Sequence, residues 1–227
     1  MKKNNKYYKE ISVIGAGAWG TALSEVISRQ GNKVNLWARE DNVVKSINTS
    51  NTNDLYLPNI KLSELISAHN DFSGVLNCDL MLMVTPAQFM RSILNDIKDN
   101  LHETIPIVLC SKGIETKTLN LMSEIAEAII PNNPLAVLSG PSFAIDVVNN
   151  KPTAVTLACK DPNIGKNIAD SISLPEFRPY LSEDVIGAQI GGATKNVIAI
   201  AAGVVPVSYT HLRAHETDSY LVCRLLL

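Results

Sequence analysis

Short runs of β-branched and aliphatic residues recur along this chain, and the stretches between them carry helical periodicity. The first run, residues 11–14, reads Ile-Ser-Val-Ile, and the segment 21–29 behind it is helical in pattern. A second run covers 33–37. Further strand-like runs lie at 80–85, 105–110, 135–138, 153–158 and 177–181. Helical patterns separate them at 87–101 and 119–130, with a short helix behind Gly140-Pro141-Ser142 and another opened by Asp161-Pro162. Asp suits the N-cap of that helix and Pro its first position. Apolar runs alternating with helices of this length predict an α/β fold with a doubly wound, mostly parallel sheet covered on both faces. The asparagine-rich stretch 48–59 reads as a loop. From Asp184 the pattern changes. Residues 185–205 are apolar and small, interrupted by Gly191, Gly192, Lys195 and Asn196, and predict the first helix of a second, helical domain. The expected division is 1–183 for the sheet domain and 184–206 for that helix.

The first strand runs directly into Gly15-Ala16-Gly17-Ala18-Trp19-Gly20 and then into a helix. Gly15 permits the tight turn, Gly17 lets the backbone approach a phosphate without a Cβ in the way, and Gly20 lets helix and strand pack closely. The helix N-terminus offers free N–H groups and partial positive charge to the anion. A second strand at 33–37 closes the βαβ unit, which is the context a dinucleotide-binding turn requires. Trp19 either caps the cofactor or covers the helix start. In NAD sites an acid near the end of the second strand takes the ribose hydroxyls, but here Ala38 stands in that place, followed by Arg39 and Glu40. Arg39 pairs with a 2′-phosphate, lies against adenine, or is solvated. NADP is therefore the expected cofactor, with NAD kept open because Glu40 can reach the ribose.

Composition narrows the partners. At 227 residues, 46% hydrophobic and 19% charged, the chain can bury a sizeable core. A net charge of -2 provides no broad basic field, which argues against nucleic acid. Cys78, Cys110, Cys159 and Cys223 are far apart in sequence and read as reduced residues of a cytoplasmic protein. The basic start, Met1 to Lys6, leads into the first strand without the apolar core of a signal peptide. The longest apolar run, 197–207, is shorter than the ~20 residues of a bilayer span and reads as a buried helix, so stable membrane insertion is not expected.

In open α/β sheets ligands bind beyond the carboxyl ends of the strands, which directs attention to the loops at 85–86, 111–113 and 140–144. Lys112 and Ser142 are the side chains there with chemistry to offer. Lys195 is the lone ammonium in an apolar helix and must snorkel outward, find an acceptor or lose its charge. His69, His102, His211 and His215 show no metal-ligand spacing beyond the last two being four apart.

The glycine-rich turn with Thr21-Ala22-Leu23, the Tyr56-Leu57-Pro58 loop, Ser111-Lys112-Gly113-Ile114-Glu115, Leu138-Ser139-Gly140-Pro141-Ser142-Phe143-Ala144 and Ala193-Thr194-Lys195-Asn196 together resemble bacterial NAD(P)-dependent glycerol-3-phosphate dehydrogenases. The resemblance runs in order from Ile11 to about Val204 and implies a Rossmann-type cofactor domain. It implies that Ala18, Trp19, Arg39, Lys112 and Ala144 contact the cofactor beside Gly15, Gly17 and Gly20. It also implies that Lys112, Gly140 and Ser142 hold substrate and that Lys195 is the proton donor and acceptor. The implied reaction is reversible reduction of dihydroxyacetone phosphate, a small-molecule step of phospholipid synthesis, with a homodimer left open at full length. Burial and the neighbouring charge of Lys112 are expected to lower the pKa of Lys195. The family continues past Val204 with a helical domain carrying an Asp and a Ser-Arg-Asn segment, whereas residues 207–227 match nothing in it. They resemble translated adapter sequence and are expected to be non-native, which leaves a non-catalytic NAD(P)-binding fragment as one alternative. A related hydroxy-acid or sugar-nucleotide reductase is the other.

Overall fold

The computed structural model describes residues 8–210, with side chains through Gly203. In chain order the elements are β1 (Glu10–Ile14), α1 (Ala18–Arg29), β2 (Lys33–Trp37), α2 (Asp41–Ser50), β3 (Thr52–Asn53), β4 (Leu57–Lys61), β5 (Ile66–His69), α3 (Ser73–Leu76) and β6 (Leu80–Met83). They continue with α4 (Met90–Ile97), β7 (Ile107–Leu109), α5 (Met122–Ile129), β8 (Leu135–Ser139), α6 (Ala144–Val148), β9 (Thr153–Cys159), α7 (Pro162–Ile172), β10 (Phe177–Ser182) and α8 (Val185–Thr210).

Eight strands form one sheet in the order β10-β9-β8-β7-β6-β1-β2-β5. Its neighbours pair in parallel except β8 with β9. The doubly wound α/β expectation holds, and alternation within the strands explains it. In β6, Leu80 and Leu82 face a layer with Ile11, Val13, Val26 and Ile27, while Met81 and Met83 face a layer with Leu94, Ile97 and Ile125. Both faces are apolar because both are covered, so the strand reads as an unbroken hydrophobic run. Two buried polar side chains bond to backbone. Ser12 in the central strand donates to the Val75 carbonyl at 2.6 Å, and Asn32 donates to the Ser171 carbonyl at 3.0 Å. Asp161 caps α7 as expected, accepting from the amides of Asn163 and Ile164 at 2.8 and 3.2 Å.

The stretch 48–59 is not a plain loop. Helix α2 runs to Ser50 and is closed by Asn51 at a left-handed φ of 48°, and β3 and β4 then pair antiparallel as a separate hairpin. Asparagine tolerates that backbone, which is why an asparagine-rich stretch carries a helix end and a hairpin. Strand β5 is absent from the sequence reading because it is a four-residue edge strand with only Ile66 and Ala68 buried. The helix expected from 119 starts at Met122, since Leu119 has φ of 61° and Ile114 bridges Leu121.

Helix α8 is docked through its first half. Asp184 accepts from the Gly187 amide at 2.7 Å, and Gln189, 5% exposed, accepts from the Ser123 amide at 2.9 Å and donates to its hydroxyl at 2.8 Å. Beyond Gly192 the expected burial is not found: Val197, Ile198 and Ile200 are 67%, 61% and 69% exposed because no described element covers them. Val185–Gly203 is long and apolar enough to cross a membrane by length and composition. The helix backbone continues to Thr210, into the segment expected to be non-native. The readings of the basic start, His211, His215, Cys223 and 211–227 lie outside the described residues.

Asp161→Ala removes the α7 cap and is expected to lower stability by about 1 kcal/mol. A urea midpoint equal to that of the unaltered chain would contradict this.

Candidate functional site

Strand order reverses at β1, with β2 on one side and β6 on the other, and the crevice beyond their carboxyl ends is where such sheets bind ligands. A cleft of about 780 Å³ opens there. The turn 15–20 forms one wall, Trp37 and Arg39 extend it from β2, and Thr85, Lys112 and 142–144 close it from the loops after β6, β7 and β8.

The glycines of the turn have three separate reasons. Gly15 has φ of +118°, and a Cβ there would lie 3.1 Å from the Val84 carbonyl carbon. A Cβ on Gly20 would stand 1.8 Å from the Gly15 carbonyl oxygen, so α1 sits directly on the end of β1. Gly17 is different, since its Cβ would meet nothing within 4 Å. It is also the N-cap of α1, with no side chain bonded to the first amides. The helix N-terminus therefore faces open space, which suits an anion. The turn is braced by the hairpin. Asn53, 1% exposed, donates to the Ala16 carbonyl at 2.9 Å and to Thr21 Oγ1 at 2.8 Å.

Two hydroxyls in the cleft, Thr85 Oγ1 and Ser142 Oγ, are buried with no hydrogen-bond partner among the described residues. Buried polar atoms are normally satisfied, so both fit a bound polar ligand. Open space at Gly17 together with these hydroxyls accommodates a dinucleotide. Trp19 and Ala144 line the same cleft, and the exposed rings of Phe89 and Phe143 stand at its mouth. Trp37 stacks on Phe72 with ring centroids 4.9 Å apart. Arg39 is exposed at the rim and in no ion pair among the described residues.

The second half of the site is cationic. Lys112 donates from Nζ to the Gly140 carbonyl at 2.8 Å, which ties in Gly140. Helix α8 crosses this point closely, since a Cβ on Gly192 would lie 2.7 Å from Ser139 Oγ and 3.7 Å from Lys112 Cγ. Lys195, one turn further along, is near enough for its charge to act on Lys112. A downward pKa shift falls on Lys112. Lys112 remains exposed in the open cleft, and partial desolvation by the walls, then the charge of Lys195, lowers its pKa below the ordinary lysine value.

Glu115 fixes the loop that carries Lys112. Its two oxygens accept from Arg91 Nε and Nη2, each at 2.8 Å, and Thr118 donates to it as well. The Arg91 guanidinium, followed by the Thr118 hydroxyl, holds the carboxyl down at about 2. Gln88 adds a clamp, donating to the Ile114 carbonyl at 2.9 Å and accepting from the Thr116 amide at 3.0 Å. Sequence reading missed Arg91 and Gln88. The available signal is that Arg91 has no acid three or four residues away, so its partner must come from another segment.

Residues 10–165 match the model of the NAD-dependent glycerol-3-phosphate dehydrogenase N-terminus. The chain is 48% identical over 198 residues to glycerol-3-phosphate dehydrogenase [NAD(P)+] of Parvibaculum lavamentivorans, covering 87% of this chain and 60% of that protein. It is 48% identical over 210 residues to the same enzyme of Caulobacter vibrioides, covering 92% and 63%. The crystal structure of glycerol-3-phosphate dehydrogenase from Coxiella burnetii superposes with a TM-score of 0.80 at 33% identity, covering 87% of this chain and 61% of that one. The chain thus spans about 60% of the length of these relatives.

Two outcomes follow from the geometry. Gly20→Ala is expected to destabilise the fold by about 1–3 kcal/mol, because backbone must move, whereas Gly17→Val keeps the fold and abolishes nicotinamide-cofactor binding. Equal urea midpoints for Gly20→Ala and the unaltered chain, or undiminished NADPH affinity of Gly17→Val, would contradict the assignment. Glu115 has a folded pKa below its ordinary 4.5, so its stabilisation is complete above that value and fades as pH falls toward about 2. Glu115→Gln should therefore unfold at lower urea than the unaltered chain at pH 7, with the gap closing under acid. A gap independent of pH would contradict the pairing.

Proposed function

This chain belongs to the NAD-dependent glycerol-3-phosphate dehydrogenase family, and on that premise we propose that its cleft takes NADP or NAD for the reduction of dihydroxyacetone phosphate to sn-glycerol 3-phosphate. The reaction is reversible and feeds glycerophospholipid synthesis. The observation that carries the reading is the open space before Gly17 in the same cleft as the orphaned hydroxyls and Lys112, on which the charge of Lys195 acts.

Gly17 keeps a side chain away from the pyrophosphate, Gly15 and Gly20 allow the turn and the helix seating that place it, and the amides of Ala18 and Trp19 face it. Trp19, Arg39 and Ala144 border the cofactor, and Lys112 serves both cofactor and substrate, with Gly140 and Ser142 on the substrate side. When bound, the nicotinamide supplies a hydride to the carbonyl carbon. Negative charge then develops on the carbonyl oxygen, and Lys195 Nζ gives it a proton, becoming neutral until water restores the proton. In the reverse direction neutral Lys195 takes the alcohol proton. Lys112 holds the anionic substrate and is itself held by Gly140 and by the loop fixed through Glu115.

Residues 1–183 serve as the cofactor domain in this reading, and 184–206 begin the substrate domain. The free thiols Cys78, Cys110 and Cys159 support a cytoplasmic setting. The bond from Gln189 to α5 supports a helix α8 that stays with the protein instead of entering a membrane. A small-molecule substrate and no nucleic acid complete the proposal, and a homodimer is left to the full-length protein.

Arg39→Ala is expected to weaken NADPH about tenfold more than NADH, since a charged hydrogen bond to the 2′-phosphate is lost. Equal losses would mean that Arg39 only stacks on adenine or points to solvent. In the protein extended to family length, Lys195→Ala should lower turnover by about 10²–10⁴ with NADPH affinity preserved. Turnover of NADPH with dihydroxyacetone phosphate that survives this substitution would remove Lys195 from the chemistry.

A further inference from the structure

The Tyr56 turn contributes to the family resemblance yet has no part in the function described so far. It links β3 to β4 and comes back to the end of β2, where Tyr56 Oη donates to Glu40 Oε1 at 3.1 Å. Both side chains line the cleft beside Arg39. We propose that Glu40, positioned by Tyr56, is a cofactor-specificity residue that favours the ribose 2′-hydroxyl of NADH and disfavours the 2′-phosphate of NADPH, in opposition to Arg39. This rests on the dinucleotide reading of the cleft.

The position follows from what the chain does after β2. Ala38, where an acid commonly takes the ribose hydroxyls, is 1% exposed and has no polar atom to offer. Glu40 is the first carboxylate beyond it. Its backbone is fixed at the start of α2, its carbonyl accepting from the amides of Val43 and Val44 at 3.1 and 3.2 Å. Its side chain makes no cap hydrogen bond, so the carboxylate is not consumed by the helix amides. Oε1 is held by Tyr56, and Oε2 takes part in no hydrogen bond or ion pair among the described residues. The neighbouring acids are engaged elsewhere: Asp41 accepts from Asn70 at 2.7 Å and Asp54 from Thr52 at 3.1 Å. Neither lines the cleft.

Tyr56 is suited to the positioning task. Its amide donates to the Asn53 carbonyl at 3.2 Å, and Asn53 is the buried side chain that braces Ala16. The hairpin that steadies the phosphate turn therefore also sets the acid at the ribose corner. The hydrogen bond to Glu40 raises the Tyr56 pKa, so its hydroxyl stays a donor through the neutral range. A carboxylate held in this way accepts from a 2′-hydroxyl but repels a 2′-phosphate, while Arg39 does the reverse. Two adjacent residues of opposite charge, not paired with each other, give one site for both cofactors.

The test is titration of NADH and NADPH against the full 227-residue chain, followed by nicotinamide fluorescence. Glu40→Gln should shift the affinity ratio toward NADPH by about tenfold, and Tyr56→Phe should shift it the same way by about threefold. The ratio is the deciding quantity, because a merely structural loss weakens both cofactors alike. An unchanged ratio in Glu40→Gln, or a shift toward NADH, overturns the proposal while leaving the dinucleotide site standing. An unchanged ratio in Tyr56→Phe overturns the positioning role. Binding of neither cofactor by the unaltered chain overturns the dinucleotide reading itself, and the proposal with it.

Discussion

The seating of Gly20 on the carbonyl of Gly15 is the contact on which the cleft depends. A methyl group at Gly20 would lie 1.8 Å from that oxygen, so α1 can start where it does only because no side chain intervenes. Its first amides are thereby aimed past the end of β1 into the crevice, at the place where strand order reverses. The hairpin then braces the same turn through Asn53. The uncapped helix start belongs to backbone and packing, so apart from Trp19 the wall consists of Gly and Ala.

The opposite wall works by charge. Bringing Lys112 and Lys195 together is unfavourable unless an anion joins them, and the fold provides for the cost of holding Lys112 in place through its bond to Gly140 and the Arg91–Glu115 pair behind its loop. Glu115 is only 6% exposed, and both of its oxygens are satisfied, the condition under which an enclosed ion pair gives a fixed geometry. The passage of α8 over Ser139 depends on Gly192 in the same sense that α1 depends on Gly20. One side of the site is thus a glycine turn with open space before it, and the other carries Lys112 under the charge of Lys195.

Most of the sheet is legible in the sequence because strands covered on both faces are apolar throughout, as Leu80 to Met83 show. The glycine turn is legible because its spacing falls within one short strand-to-helix segment, although the Cβ of Gly15 would meet Val84 and that of Gly17 nothing. What escapes is decided at a distance. Strand β5 has four residues and one buried face, too little for a pattern, and the hairpin is disguised by asparagines that serve backbone conformation. Arg91 and Glu115 lie 24 residues apart, and only the fold brings them together. The exposure of Val197, Ile198 and Ile200 is likewise invisible in the sequence, because apolar residues in a helix carry no label saying what covers them.

The central claim is that the N-terminus of α1 receives a cofactor pyrophosphate. Amide chemical shifts of the isotopically labelled chain, followed during titration with NADPH, test it most directly. The account predicts that the largest changes fall on the amides of Ala18, Trp19 and Gly20, with Arg178 and Tyr180 in the distant strand β10 unaffected. Saturable binding that leaves the three turn amides unmoved and shifts residues elsewhere would contradict it.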